Sequence, residues 1–246
     1  MSRSAEPAGL PARRAALRLL DGVLRQALPL EAVLERAAAG LSTSDRALAH
    51  AIAAEVLRHL ADLDALIDSA TARPLPPDAK ARAVLRIALV QALVLGTPPH
   101  AAIATALPLV DGGPRRLVHG VFGTLMRRGS RLPELPALPE GVAERWRAAW
   151  GEAAVDAARR LIALPPPVDL TLVGEAPPDL GGESLLPGRV RLPRGTAIPD
   201  LAGFAEGRWW VQDLAASLPA RLLGPGPGFA LDLCAAPGGK TLQLAA

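Results

Sequence analysis

Near one end of the 246-residue sequence, the run Leu231-Asp232-Leu233-Cys234-Ala235-Ala236-Pro237-Gly238-Gly239-Lys240-Thr241 gathers a carboxylate, a thiol, two adjacent glycines, an amine and a hydroxyl. The apolar stretch Phe229–Leu233 before it reads as a short strand, and a helix is expected from Thr241. A strand that runs through a glycine-rich turn into a helix aims backbone N–H groups and a helix N-terminus at a ligand. The glycines let the backbone approach that ligand closely.

Two ligand chemistries compete for such a turn. Gly239-Lys240-Thr241 matches the end of the phosphate loop G-x-x-x-x-G-K-[ST]. The frame, however, puts Cys234 where the first glycine belongs, and Pro237 removes an N–H donor from the cradle. The alternative is the adenosylmethionine loop of a Rossmann-like methyltransferase. That ligand needs backbone contacts to its amino-acid and ribose parts and no triphosphate nest. Asp232 either orients the loop through its N–H groups or merely ends the strand.

The elements that would position this loop differ along the chain. The first 130 or so residues show helical periodicity. Leu17, Leu20, Leu24 and Leu28 form one stripe, with Arg14, Arg18 and Arg25 on another face of the same helix. Ser42 or Ser44 caps a helix with Leu48, Ile52 and Val56. Leu63, Leu66 and Ile67 belong to a short successor. Asp78 is a start signal for a helix carrying Leu85, Leu89 and Leu93, which Gly96 ends. Pro98 and Pro99 open the next segment. Gly112, Gly113 and Pro114 precede a last one over 115–128. Six or seven helices with short links predict a helical bundle. A Leu/Pro-rich linker follows at 131–140, then short helices near Val142–Trp150 and Ala153–Leu164. Strands are expected at Val168–Leu172, Arg189–Leu192 and Trp209–Val211, and a helix capped by Asp213 over Leu214–Leu223. The Gly-Pro-Gly-Pro-Gly of 224–228 reads as a turn. A strand, a glycine-rich turn and a nascent helix at the end are the opening of a doubly wound sheet, which Ala246 leaves truncated.

Composition narrows the function classes. No apolar run approaches the roughly 18–20 residues of a membrane span, and Met1–Leu10 lacks a signal-peptide core. A soluble cytoplasmic monomer is therefore expected, with no membrane partner. Cys234 is the sole cysteine, which excludes an internal disulfide and a cysteine zinc cluster, and no metal site is expected. Lysine plus arginine outnumber the acids by 17 to 11 over residues 1–131 and trail them by 10 to 13 over 132–246. A basic front half is the electrostatic footprint of a polyanion partner, or a solvated face rich in arginine. Arg13, Arg14, Arg18 and Arg25, with Arg115, Arg116, Arg127 and Arg128, could track phosphates. Trp146, Trp150, Trp209 and Trp210 read as packing residues.

The run from Asp232 to Thr241 closely resembles the first cofactor motif of the Sun/RsmB-type RNA cytosine-C5 methyltransferases. Trp209-Trp210-Val211-Gln212-Asp213-Leu214-Ala215-Ala216 resembles that family's lead-in segment. The helical half resembles its NusB-like RNA-binding domain through Asp45-Arg46-Ala47-Leu48-Ala49, Val56-Leu57-Arg58 and His100-Ala101-Ala102-Ile103. Where the family reads Phe-Val-Asn-Ala-Val-Leu-Arg, this chain has Leu117–Gly123. Its Gly120 and Gly123 weaken a helix by roughly 1 kcal/mol each relative to alanine.

The resemblance implies a multidomain chain. Residues 1–131 would be an all-α NusB-like bundle that binds RNA. Residues 132–208 would be a linker and α+β connector, and 209–246 the first βα unit of a Rossmann-like α/β methyltransferase domain. Cys234, Ala235, Ala236, Pro237, Gly238, Gly239 and Lys240 would contact S-adenosyl-L-methionine. Arg14, Arg18, Arg25, Arg115 and Arg116 would contact ribosomal RNA. The activity implied is formation of 5-methylcytosine in small-subunit (16S) ribosomal RNA. The family's nucleophilic and proton-releasing cysteines lie in later motifs. Cys234 is thus assigned no covalent role, only a small, partly buried place beside the cofactor. The chain alone is expected to be inactive, with no catalytic residue of its own. An RNA-binding module of the NusB antitermination type, without catalysis, is the alternative; it would have no need of residues 209–241.

Overall fold

A computed structural model of the chain describes residues 9–177, 179–224, 226 and 228–246. The leader reading at residues 1–8 and the Pro225 and Pro227 positions of the expected turn lie outside the described residues. The chain divides into two compact units, Met1–Ala163 and Leu164–Ala246.

The first unit is helical: α1 (Leu10–Leu24), α2 (Leu30–Ala37), α3 (Thr43–Arg58), α4 (Leu60–Ser69), α5 (Lys80–Leu93), α6 (Pro99–Ala106), α7 (Gly112–Arg127), α8 (Glu140–Trp150) and α9 (Glu152–Ile162). Ser42 caps α3, its Oγ accepting from the Asp45 N–H at 3.2 Å. Pro99 sits in the first turn of α6, where its missing N–H costs nothing. Asp78 does not cap α5; the N-cap position falls on Ala79, and no side chain satisfies the first turn. The sequence pattern missed α2, whose short register Val33–Ala37 follows Pro29. α7 forms despite Gly120 and Gly123 because Val118, Val121, Phe122 and Leu125 bury one face. Tertiary burial outweighs the propensity cost of those two glycines.

One core fills the bundle. Leu19 and Leu20 of α1, Ile52 and Val56 of α3, Leu63 and Ile67 of α4 and Leu85 and Leu89 of α5 are all shielded from solvent. On α1 the buried face differs from the expected stripe. Small residues Ala12, Ala15 and Ala16 join Leu19 and Leu20 in the core, whereas Leu24 and Leu28 are exposed and Leu17 is half-buried. Alanines let α1 approach α3 closely, so the densest packing falls on a face that a leucine count does not reveal. The linker is fastened to the helices: the Ala137 N–H donates to Asp62 at 2.9 Å, and Arg159 donates to the carbonyls of Pro136 and Leu135, both at 3.2 Å.

The second unit holds a four-stranded antiparallel sheet in the order β2-β3-β1-β4. Its strands are β1 (Val168–Leu172), β2 (Glu183–Leu186), β3 (Arg189–Leu192) and β4 (Trp209–Val211). Leu170 pairs with Val190 on one side and Val211 on the other. Leu170, Leu180, Val190, Leu192 and Trp209 make its core. Helices α10 (Leu214–Leu223) and α11 (Gly239–Ala245) follow. Asp213 caps α10 through the N–H groups of Ala215 and Ala216.

The strand expected over Phe229–Leu233 is not formed, and the helix expected at Thr241 begins at Gly239. No other strand among the described residues lies alongside Phe229–Leu233 to complete a ladder, and an unpaired strand gains no inter-strand hydrogen bonds. Phe229, Leu231 and Leu233 are exposed accordingly.

Candidate cofactor loop and basic helical surface

Asp232 closes the loop. Its Oδ1 accepts the Cys234 N–H at 3.0 Å and its Oδ2 accepts the Thr241 hydroxyl at 2.8 Å. One carboxylate therefore bridges the entry to the loop and the first turn of α11, which settles its role as loop organiser. The Thr241 hydroxyl, which a phosphate loop would use to ligate Mg²⁺, is engaged by that carboxylate. Between these anchors the N–H groups of Ala235, Ala236 and Gly238 make no hydrogen bond among the described residues. Cys234, Ala235, Ala236 and Pro237 are exposed, with Gly238, Gly239 and Lys240 half-buried. Exposure corrects the expected partial burial of Cys234.

Gly238 has φ +109°, in the region that L side chains avoid, while a Cβ there would meet nothing within 4 Å. Glycine is thus required by backbone conformation rather than by crowding. Uncommitted backbone donors and open space beside a left-handed glycine are what an adenosylmethionine ligand would need.

Gln212, not singled out as functional from its type, holds the loop's helix in place. Its Oε1 accepts from Thr171 of β1 at 2.6 Å and from the Trp210 indole at 3.1 Å. Its Nε2 donates to Gln243 of α11 at 3.2 Å, and Gln243 in turn donates to the Ser217 carbonyl of α10 at 3.0 Å. The signal for it was its place within the lead-in segment 209–216. Trp209 is buried, donates to the Ala202 carbonyl at 2.8 Å and packs on Phe204; it is a packing residue. Trp150, expected to pack, is 65% exposed and makes an edge-to-face pair with Trp146.

The predicted RNA-contacting arginines separate into groups. Arg14 and Arg18 lie on α1, half-buried and exposed respectively, and Arg18 reaches the Ala37 carbonyl at 3.5 Å. Arg25 pairs with Asp21 one turn away at 3.0 Å. Arg115 and Arg116 are exposed in the first turns of α7. Arg13 cannot track phosphate: it is buried, donating from Nε to the Gln91 side chain at 2.8 Å, and burial pulls its pKa down. Arg128 donates to the Ser69 carbonyl and Arg127 to the Thr124 hydroxyl. Among the described residues no group of His, Cys, Asp and Glu could hold a metal ion, and no helix is long and apolar enough to cross a membrane.

The model of the NusB family matches residues 10–121, within this helical unit. The whole chain is similar to proteins named ribosomal RNA small subunit methyltransferase B. It is 33% identical to the one from Xanthomonas campestris pv. campestris over 99% of this chain and 60% of that protein. The corresponding figures for the Xylella fastidiosa protein are 34%, 96% and 59%. A Synechocystis protein named as a probable member is 29% identical over 96% of this chain and 60% of its own length. The chain spans about 60% of the length of these proteins that it resembles. A solved structure described as the crystal structure of PH0851 has the same fold with a TM-score of 0.63. Identity there is 19%, covering 100% of this chain and 62% of that one.

Proposed function

We propose that this chain supplies the RNA-recognition and cofactor-loop parts of an S-adenosyl-L-methionine-dependent methyltransferase that forms 5-methylcytosine in small-subunit ribosomal RNA, acting in the cytoplasm. The observation that carries the reading is the Asp232-braced loop, with its uncommitted N–H donors and left-handed Gly238, in a chain similar to proteins named as small-subunit ribosomal RNA methyltransferases. By role, the chain would divide into 1–131 for RNA binding, 132–208 as connector and 209–246 as the start of a Rossmann-like cofactor domain whose strand over Phe229–Leu233 would form once other strands flank it.

Cys234 to Lys240 would hold adenosylmethionine, whose sulfonium supplies the methyl group. The work of the protein is orientation. Asp232 fixes both ends of the loop and would leave the N–H groups of Ala235, Ala236 and Gly238 available to the ligand. Lys240 would face the ligand's carboxylate. Arg14, Arg18, Arg25, Arg115 and Arg116 would contact phosphates of the RNA, with binding that weakens as salt rises because counterions are released. C5 of an unperturbed cytosine is a poor nucleophile, so the reaction calls for a thiolate adding at C6. Cys234, next to the cofactor donors, is the wrong group for that step.

The test is incubation with methyl-labelled adenosylmethionine and unmodified small-subunit RNA. The 246-residue chain is expected to transfer no label. The same chain extended to the length of its relatives is expected to label cytosine C5. Transfer by the short chain, or label at another atom, would overturn the reading.

A further inference from the structure

A cavity of about 400 Å³ opens on the helical unit between the C-terminal half of α1, α2 and the start of α5. Its size falls within the roughly 300–1,000 Å³ of small-molecule sites. The floor is apolar: Leu17, Leu20 and Leu24 of α1 with Val33 of α2. Leu17 and Leu24 belong to the stripe that sequence periodicity assigns to the core, yet Leu17 is only half-buried and Leu24 is exposed.

The walls are cationic. Five basic side chains line the cavity, against Asp21 and Asp78. Arg25 is neutralised by Asp21, and Arg86 is engaged by Asp64. That leaves Arg18, Arg36 and Lys80 facing Asp78 alone. Arg36 and Lys80 are exposed and make no ion pair among the described residues. The first turn of α5, a 14-residue helix with no side-chain cap, borders the same opening through Lys80 and Ala83. Its unsatisfied N–H groups and macrodipole favour an anion beside those cations.

An apolar floor under a cationic rim suits a ligand with a flat, weakly polar body and an attached negative charge. We infer that this cavity takes one unstacked nucleotide of single-stranded RNA, its base over Leu17 and Leu24 and its phosphate at Arg36, Lys80 and the start of α5. No aromatic ring lines the cavity, and guanidinium planes such as that of Arg18 replace one as the stacking surface for a base. A concave site of this size excludes a stacked duplex, whose bases cannot leave the helix without cost. The inference rests on the proposed RNA binding and adds a specific subsite to it.

The experiment is fluorescence anisotropy of the whole chain with a labelled single-stranded oligouridylate and, separately, a labelled RNA hairpin without a single-stranded tail. Two variants are compared with the unaltered chain: Arg36→Gln/Lys80→Gln, which touches only exposed side chains, and Ala83→Phe, which fills the cavity. Single-strand affinity is expected to fall roughly tenfold or more in each, the scale of one lost charge-assisted contact, with hairpin affinity within about twofold. Uridine 5′-monophosphate is expected to displace the oligouridylate where inorganic phosphate at equal concentration does not. If Ala83→Phe does not fold, the double variant decides alone. Unchanged single-strand affinity, or equal displacement by inorganic phosphate, overturns the subsite. A dimer that Ala83→Phe dissolves would assign the cavity to a second copy and overturn it too. Hairpin binding without single-strand binding sinks only this inference, whereas failure to bind either RNA sinks the broader reading.

Discussion

The Arg86 guanidinium lies parallel to the Asp64 carboxylate, with Nε and Nη2 each 2.8 Å from one of its oxygens. Arg86 is almost fully buried, and Arg82 beside it adds a third contact to Asp64 at 3.1 Å. Two guanidiniums therefore share one carboxylate at the seam between α4 and α5. Removing that carboxylate leaves Arg86 buried without its acidic partner, while Arg82 keeps Asp68 and the Leu75 carbonyl. Asp64→Ala is expected to destabilise the helical unit by about 3 kcal/mol. Urea denaturation followed by helical circular dichroism checks it, and a loss close to zero would mean that the pair is solvated.

The sheet has its own pair. Arg191 of β3 donates to both oxygens of Asp169 of β1 at 2.7 and 2.8 Å, and the Leu214 N–H adds a contact at 3.2 Å. The Arg191 contact, joined by that N–H, holds the Asp169 carboxyl below its ordinary pKa. A carboxylate depressed in the fold stabilises fully above its unfolded value of about 3.9 and loses that contribution as pH falls through the folded value. Asp169→Asn should thus be less stable than the parent at neutral pH, with the gap closing in strong acid. Thermal melts across pH provide the readout; a gap independent of pH would contradict the assignment.

His59 ends α3 with Nδ1 buried and without a hydrogen-bond partner. Burial lowers its pKa, although Glu55, 3.8 Å from Nε2, pulls the other way. The folded imidazole takes up its proton at lower pH than the unfolded chain, which does so near pH 6.5. Stability is therefore fully present above that value and declines as pH falls through it towards the folded one. His59→Leu should flatten the stability profile of the helical unit between neutral and mildly acid pH. An unaltered slope in melts over that range would refute it.

Gly238 is the sensitive point of the loop. Because the space beside it is open, valine there is penalised by the positive φ, at roughly 1 kcal/mol or more, rather than by a clash. In a chain extended to the length of the relatives, Gly238→Val is expected to weaken S-adenosylhomocysteine binding strongly and Cys234→Ala only mildly. Calorimetric titration reads both. Undiminished affinity in Gly238→Val would remove the loop from the site, and the helical unit should melt as before in either variant.

Local patterns determined much of this molecule. Ser42, Asp213, Pro99 and Gly96 mark element ends by chemistry that acts over a few residues, and alternation at Val168–Leu172 and Arg189–Leu192 sufficed for two strands. The cofactor-type loop was legible for the same reason, since Asp232, the glycines and Thr241 are all near one another in sequence. What needed the tertiary structure depends on which surfaces meet. The Leu17–Leu24 stripe has the period of a core face, yet the alanine face of α1 packs closer and leaves those leucines at a cavity. Arg13 and Arg18 look alike in the sequence, but Gln91, 78 positions away, draws one inside while the other stays in solvent. Phe229–Leu233 has the composition of a strand but finds no ladder to join among the described residues, because hydrogen bonds between strands belong to pairs of segments and not to either one.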